Sequence, residues 1–97
     1  MKTRTRKFDP ANYLDDADEM ATYLTEALQT GDSAFIADAL GILSRARGMT
    51  KIARKTGLTR ESLYKALSAQ GNPELQTVLK VLRALGLSLS AKTDKAA

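Results

Sequence analysis

Apolar residues return at every third or fourth position through most of this chain, and glycines break the pattern into segments. Leu14, Ala17, Met20, Ala21, Leu24, Ala27 and Leu28 lie at helical spacing and predict a first helix from about Asp15 to Gln29. Gly31 ends it, and Asp32 or Ser33 caps the next helix. Phe35, Ile36, Ala39, Leu40, Leu43 and Ala46 predict the core face of a helix from about Ser33 to Arg47, which Gly48 stops. The last helix carries a buried stripe of Leu75, Val78, Leu79, Leu82 and Leu85, with Asn72 as its N-cap, Pro73 in the first turn and Gly86 at its end. Leu87-Ser88-Leu89-Ser90 then alternates over four residues, at most a short strand. A lone strand leaves its edges unsatisfied, so such a strand would pair across a dimer.

Between Gly48 and Gly71 the pattern shortens into two small helices. Thr50 is the candidate N-cap of the first, and Ile52 and Ala53 form its small apolar face. Gly57 follows Thr56, where a chain leaving a helix and turning sharply needs a positive φ. Leu58 plugs the gap between the helices, and Thr59 caps the second. Thr59-Arg60-Glu61-Ser62 is a partial capping box, with Ser62 where Glu or Gln would sit. Leu63, Ala66 and Leu67 form one inward face, leaving Arg60, Glu61, Tyr64, Lys65 and Ser68 for the other. The expected organisation is a basic arm over residues 1–8, one all-α domain over 9–90 with the short helix pair at about 49–69, and a frayed tail over 91–97.

Charge changes what this pair implies. Residues 45–65 hold seven cations (Arg45, Arg47, Lys51, Arg54, Lys55, Arg60 and Lys65) against the single acid Glu61, a local excess above the +4 of the whole chain. A short helix pair so charged is suited to holding a helix against DNA; the bland alternative is a helical hairpin with a solvated basic surface. Residues 8–38, by contrast, hold eight acids and no base. The macrodipole accounts for Asp15, Asp16, Asp18 and Glu19 at a helix start, but not for so long a stretch without a cation. The division suggests two different partners.

Composition removes other classes. With 97 residues the chain forms one domain with a small core, which a dimer interface would support. The absence of cysteine and histidine removes disulfides, thiolate chemistry, the commonest general base and the commonest transition-metal ligand. No nucleophile–base pair, Gly-rich phosphate loop or metal cluster is visible, and Asp15–Glu19 lack the spacing of a calcium loop. No enzyme, cofactor or small-molecule ligand is therefore expected. No apolar run approaches a membrane span of ~20 residues, and the first ten residues lack a secretory apolar region, so the expected location is the cytoplasm.

The run ARGMTKIARKTGLTRESLYKALSAQGNPELQTVLKVLRALGLSL resembles the phage-repressor-like (Xre/Cro-type) helix-turn-helix. More closely it is similar to the antidote proteins of type II addiction modules encoded beside a RelE/ParE-type toxin, as is the upstream FDPANYLDDADEMATYLTEAL; together these cover residues 8–90. The resemblance implies five helices with an extra N-terminal one, a dimeric repressor of its own operon, and neutralisation of the toxin. A regulator without a toxin shares the same DNA chemistry, and a protein-interaction module whose basic helices face an acidic partner is the third reading. Many phage repressors carry a bracing Gln at the start of the first helix of the pair; here Met49 stands there and cannot hydrogen-bond in that way.

The candidate base-contacting residues are Thr59, Arg60, Glu61, Ser62 and Lys65, at or near the groove-entering end of the second helix. Phosphate contact is an alternative for Arg60, and dipole stabilisation for Glu61. The phosphate-contacting candidates are Arg45, Arg47, Lys51, Arg54, Lys55, Tyr64 and Asn72, with core packing as the alternative for Tyr64. The amides after Asn72 would offer a helix N-terminus to phosphate. The toxin-facing candidates are Asp15, Asp16, Asp18 and Glu19, because toxins acting on nucleic-acid machinery are basic. The exposed side of the last helix and Leu87–Leu89 are the candidate dimer contact.

Overall fold

The computed structural model describes residues 16–95. Among them the chain forms five helices and no strand: α1 (Ala17–Gln29), α2 (Ser33–Arg47), α3 (Met49–Thr56), α4 (Arg60–Ala66) and α5 (Leu75–Leu85). The expected all-α architecture is present. Asp15, Leu14 and the basic arm lie outside the described residues.

Local capping sets most boundaries. Asp16 accepts the Glu19 amide at 2.8 Å and opens α1. Asp32 accepts the amides of Ala34 and Phe35, which decides the cap of α2 in favour of Asp32 over Ser33. α2 is the hub of the fold and packs against all four other helices. Its buried residues, Leu40 and Leu43 among them, meet Met20 and Leu24 of α1, Ile52 of α3, Leu63 of α4 and Val81, Leu82 and Leu85 of α5. The closest approach of α2 to α4 is at Gly41: a Cβ there would lie 2.1 Å from the Leu67 carbonyl oxygen, so only glycine permits α2 this close to the end of α4.

Four expectations need correction. Thr50 does not cap α3; the helix begins at Met49 with Gly48 as its cap, and no side chain caps it. The start moves back because Met49, 4% exposed, belongs to the core and draws the first turn inward. Asn72 does not cap α5 either. Pro73 and Glu74 precede the helix, and the Glu74 carbonyl accepts the first helical amide, from Val78 at 3.0 Å. No buried side chain precedes Val78 on α5 to reward an earlier start, and Leu75 is 67% exposed.

The apolar stripes are also narrower than their spacing suggests. Leu79 and Phe35 face solvent along with Leu75, and Val81 takes the core place that Leu79 was expected to hold. Finally, Leu87–Ser90 is not a strand. The Leu87 amide donates to the Leu82 carbonyl at 2.8 Å and closes α5. The chain then runs irregularly between two shallow grooves, one lined by Leu79 and Leu82 and the other by Leu24 and Leu28, with Leu87 and Leu89 bordering both. With no neighbouring strand among the described residues, side-chain contact rather than a hydrogen-bond ladder holds it.

Candidate functional site

The helix pair α3–α4 is built as its residues require. Gly57 ends α3 at φ 77°, and its amide donates to the Ala53 carbonyl at 2.9 Å. A left-handed residue here reverses the chain in three positions, and any Cβ would strain it. Thr56, buried at the end of α3, donates its hydroxyl to the Ile52 carbonyl at 2.8 Å and accepts the Leu58 amide at 3.3 Å. Leu58 is half-buried against the core, as its place in the turn predicts.

Thr59 caps α4 in extended backbone, its Oγ1 accepting the Ser62 amide at 3.0 Å. The Ser62 hydroxyl donates back to the Thr59 carbonyl at 3.0 Å. Its proton is thereby committed, and Ser62 can offer an outside group only an acceptor. Thr59 Oγ1 accepts and so keeps its own proton for donation outward. Leu63 and Leu67 are fully buried and anchor α4. Thr59, Arg60, Glu61, Ser62, Tyr64 and Lys65 are all exposed and thus share the solvent side of this one short helix.

All seven cations of residues 45–65 are exposed. Lys51, Arg54 and Lys55 project from α3, Arg60 and Lys65 from α4, and Arg47 from the end of α2. Arg45 stands apart. It lies beside Gly41, its Nη1 3.2 Å from where a Cβ on that glycine would stand, at the carbonyl end of α4 and not at its capped end. A cation there complements the negative end of the helix. Arg45 also acts electrostatically on Tyr23 of α1, whose hydroxyl is held above the usual value of 10.0, chiefly by burial and next by Asp38, with Arg45 pulling it down. Asn72 is exposed in the segment ahead of α5, but the amides that follow it do not begin a helix.

Sequence spacing overlooked two features. The Arg60 guanidinium lies over the Tyr64 ring, 5.8 Å from its centroid. The four-residue separation was the available signal. The second is Phe35, 50% exposed on α2, in sequence between the exposed Asp32 and the half-buried Asp38. Of the acidic candidates, Asp16 and Asp18 are exposed and Glu19 is half-buried; Asp15 lies outside the described residues. No helix among the described residues is long and apolar enough to cross a membrane.

The described residues thus combine an exposed, cation-rich helix pair, α3–α4, with an acidic first helix, α1. The profile of a protein family described as probable addiction module antidote protein matches residues 4–93, and the chain belongs to that family. It is similar to an uncharacterized protein of Haemophilus influenzae, at 43% identity over 95 residues that cover 98% of each chain. No solved structure matches it. An antidote in an addiction module has a toxin as its counterpart.

Proposed function

We propose that this antidote is a phage-repressor-like (Xre/Cro-type) helix-turn-helix protein that represses its own operon and neutralises a RelE/ParE-type toxin in the cytoplasm. Residues 9–90 form the single functional domain, with α3 and α4 as the helix-turn-helix. The observation that carries this reading is the exposed side of α4: a side-chain cap at Thr59, then Arg60, Glu61 and Lys65 in solvent, with the α3 cations in the adjoining helix. An α-helix fits the major groove, where Arg60 can fork to guanine O6 and N7 and Glu61 can accept from cytosine N4. Arg47, Lys51, Arg54 and Lys55 supply phosphate contacts that fix register, with Tyr64 and Asn72 within the same exposed set. Arg45 contributes to phosphate binding less than its neighbours, because its guanidinium lies at the other end of α4.

One recognition helix reads few base pairs, so a two-fold dimer reading half-sites about 34 Å apart completes the function. Leu75, Leu79 and Leu89, exposed on α5 and the following segment, support that contact. The acidic surface of α1 supports the toxin-facing role, since opposite charge steers association and masks a basic site.

The test is co-purification with the product of the adjacent gene, followed by a gel shift on the upstream intergenic DNA at two salt concentrations. A stable complex that shifts this DNA, less so at high salt, is the expected result. A shift without any protein partner would leave a regulator with no toxin of its own. No shift at either salt would end the DNA reading.

A further inference from the structure

We infer that Tyr64 is a positioning residue that sets base specificity by holding the Arg60 guanidinium on its ring face. The inference rests on the DNA-binding reading above and assigns within it a residue whose side chain need not touch a base.

Arg60 and Tyr64 lie four apart on α4, so their side chains stack along one face of the helix. The guanidinium sits over the ring at 5.8 Å, within the range where the ring's negative face attracts a cation. Tyr64 is 42% exposed, while the neighbouring Leu63 and Leu67 are fully buried. The ring is therefore not anchoring α4 in the core; its place is on the surface that carries Arg60.

This matters because an unrestrained arginine samples many rotamers and can serve equally as a phosphate clamp. A guanidinium held over an aromatic face samples fewer rotamers and can keep the edge of its planar fork free for bidentate guanine recognition. Met49, at the start of α3, is buried in the core and offers no hydrogen bond for that purpose. On α4 itself, Tyr64 is the neighbour the structure places under Arg60. The acid next in sequence, Glu61, lies beyond: residues one apart on a helix do not face each other.

The experiment selects bound sequences from a randomised duplex pool with the full-length wild type, Tyr64→Phe, Tyr64→Leu, Arg60→Ala and the Tyr64→Leu/Arg60→Ala double variant, checking helix content for each. Tyr64→Phe keeps the ring and should keep the wild-type preference. Tyr64→Leu should relax the preference at one base pair per half-site and weaken the selected sequence roughly five- to tenfold, with an unchanged salt slope. Arg60→Ala should relax the same base pair, and the double variant should relax nothing further. If Tyr64→Leu retains the full preference, or if Tyr64→Phe relaxes as far as Tyr64→Leu, the brace is overturned; the second outcome would assign the effect to the hydroxyl. A wild type that binds no duplex even at low salt would overturn the DNA reading together with this one.

Discussion

Gly41 and the carbonyl of Leu67 are in such close contact that no side chain fits between them: a Cβ on Gly41 would stand 2.1 Å from that oxygen. The two residues are far apart in sequence, on the central helix α2 and at the end of α4. Their contact sets the depth at which α4 is seated, and so how far its solvent side stands out from the body of the protein.

Gly41→Ala should therefore destabilise the fold by about 2–3 kcal/mol, since the atom it meets is backbone and cannot swing aside. Thermal melting checks this, with an expected fall in Tm of roughly 10–20 °C. A variant melting as the wild type would show that α2 and α4 do not pack this closely.

Lys51 and Lys55 are exposed on α3 and carry no share of the core. Each replaced by alanine should lower affinity for every duplex alike and reduce the slope of log affinity against log salt by about one. A change in sequence preference, rather than in slope, would move these residues from phosphate to base.

The acidic side should behave independently. Replacing Asp15, Asp16, Asp18 and Glu19 with lysine should slow association with the toxin, measured by surface binding kinetics, and leave operator binding intact. Asp16 also caps α1, so Asp16→Asn is the control that keeps the cap and removes the charge. Phe35→Ala tests the exposed aromatic of α2, which lies in sequence between Asp32 and Asp38: a loss of roughly tenfold in toxin affinity with little change in Tm would make it an anchor of that interface. Unchanged affinity would leave the toxin contact to α1 alone.

Leu79 and Leu89 are 47% and 41% exposed. Leu79→Glu, alone or with Leu89→Glu, should halve the mass seen by sedimentation without unfolding the chain. Affinity for a two-half-site operator should fall while that for a single half-site stays. A mass unaffected by either change would place the dimer contact elsewhere.

Tyr23 predicts a pH effect. Its hydroxyl titrates above 10.0 in the folded chain, first because the half-buried ring is partly desolvated and then because Asp38 is near. The folded state therefore holds the proton longer than the unfolded chain does. The resulting stability is complete below pH 10.0 and is lost as pH rises through the folded value. Urea unfolding of Tyr23→Phe against wild type should show no pH-dependent difference between them near neutrality and a widening one above about pH 10, with the wild type losing more.

How much of this could be read from the residues depends on the kind of contact involved. Gly57, Thr59, Leu63 and Leu67 were legible because each answers to a local rule: a left-handed turn, a helix cap, an inward face at helical spacing. Asp32 was legible for the same reason. Phe35, Leu75 and Leu79 were misplaced because periodicity reports that a side chain lies on an apolar stripe, not that another helix covers that part of it. Thr50 was misread as the cap of α3 because the burial of Met49, which sets the helix start, follows no local rule. That burial comes from the core cluster formed with residues of the other helices, which no local pattern records. The alternation in Leu87–Ser90 was real, but two grooves receive it instead of a strand. Of the site, the residue types and their helix were evident; the pairing of Arg60 with Tyr64 and the separate placement of Arg45 were settled by side-chain direction.

α2 packs against every other helix, whereas α1 has α2 as its principal support. Such an arrangement divides cooperativity unequally. Opening α2 dismantles the whole molecule, but α1 can lift away while α3, α4 and α5 stay assembled. Amide hydrogens of α1 should thus exchange with solvent through local fluctuations, while those of Leu40 and Leu43 wait for global unfolding. The half of the molecule assigned to the toxin would then be dynamically soft, and a bound partner could slow its exchange without disturbing the half assigned to DNA.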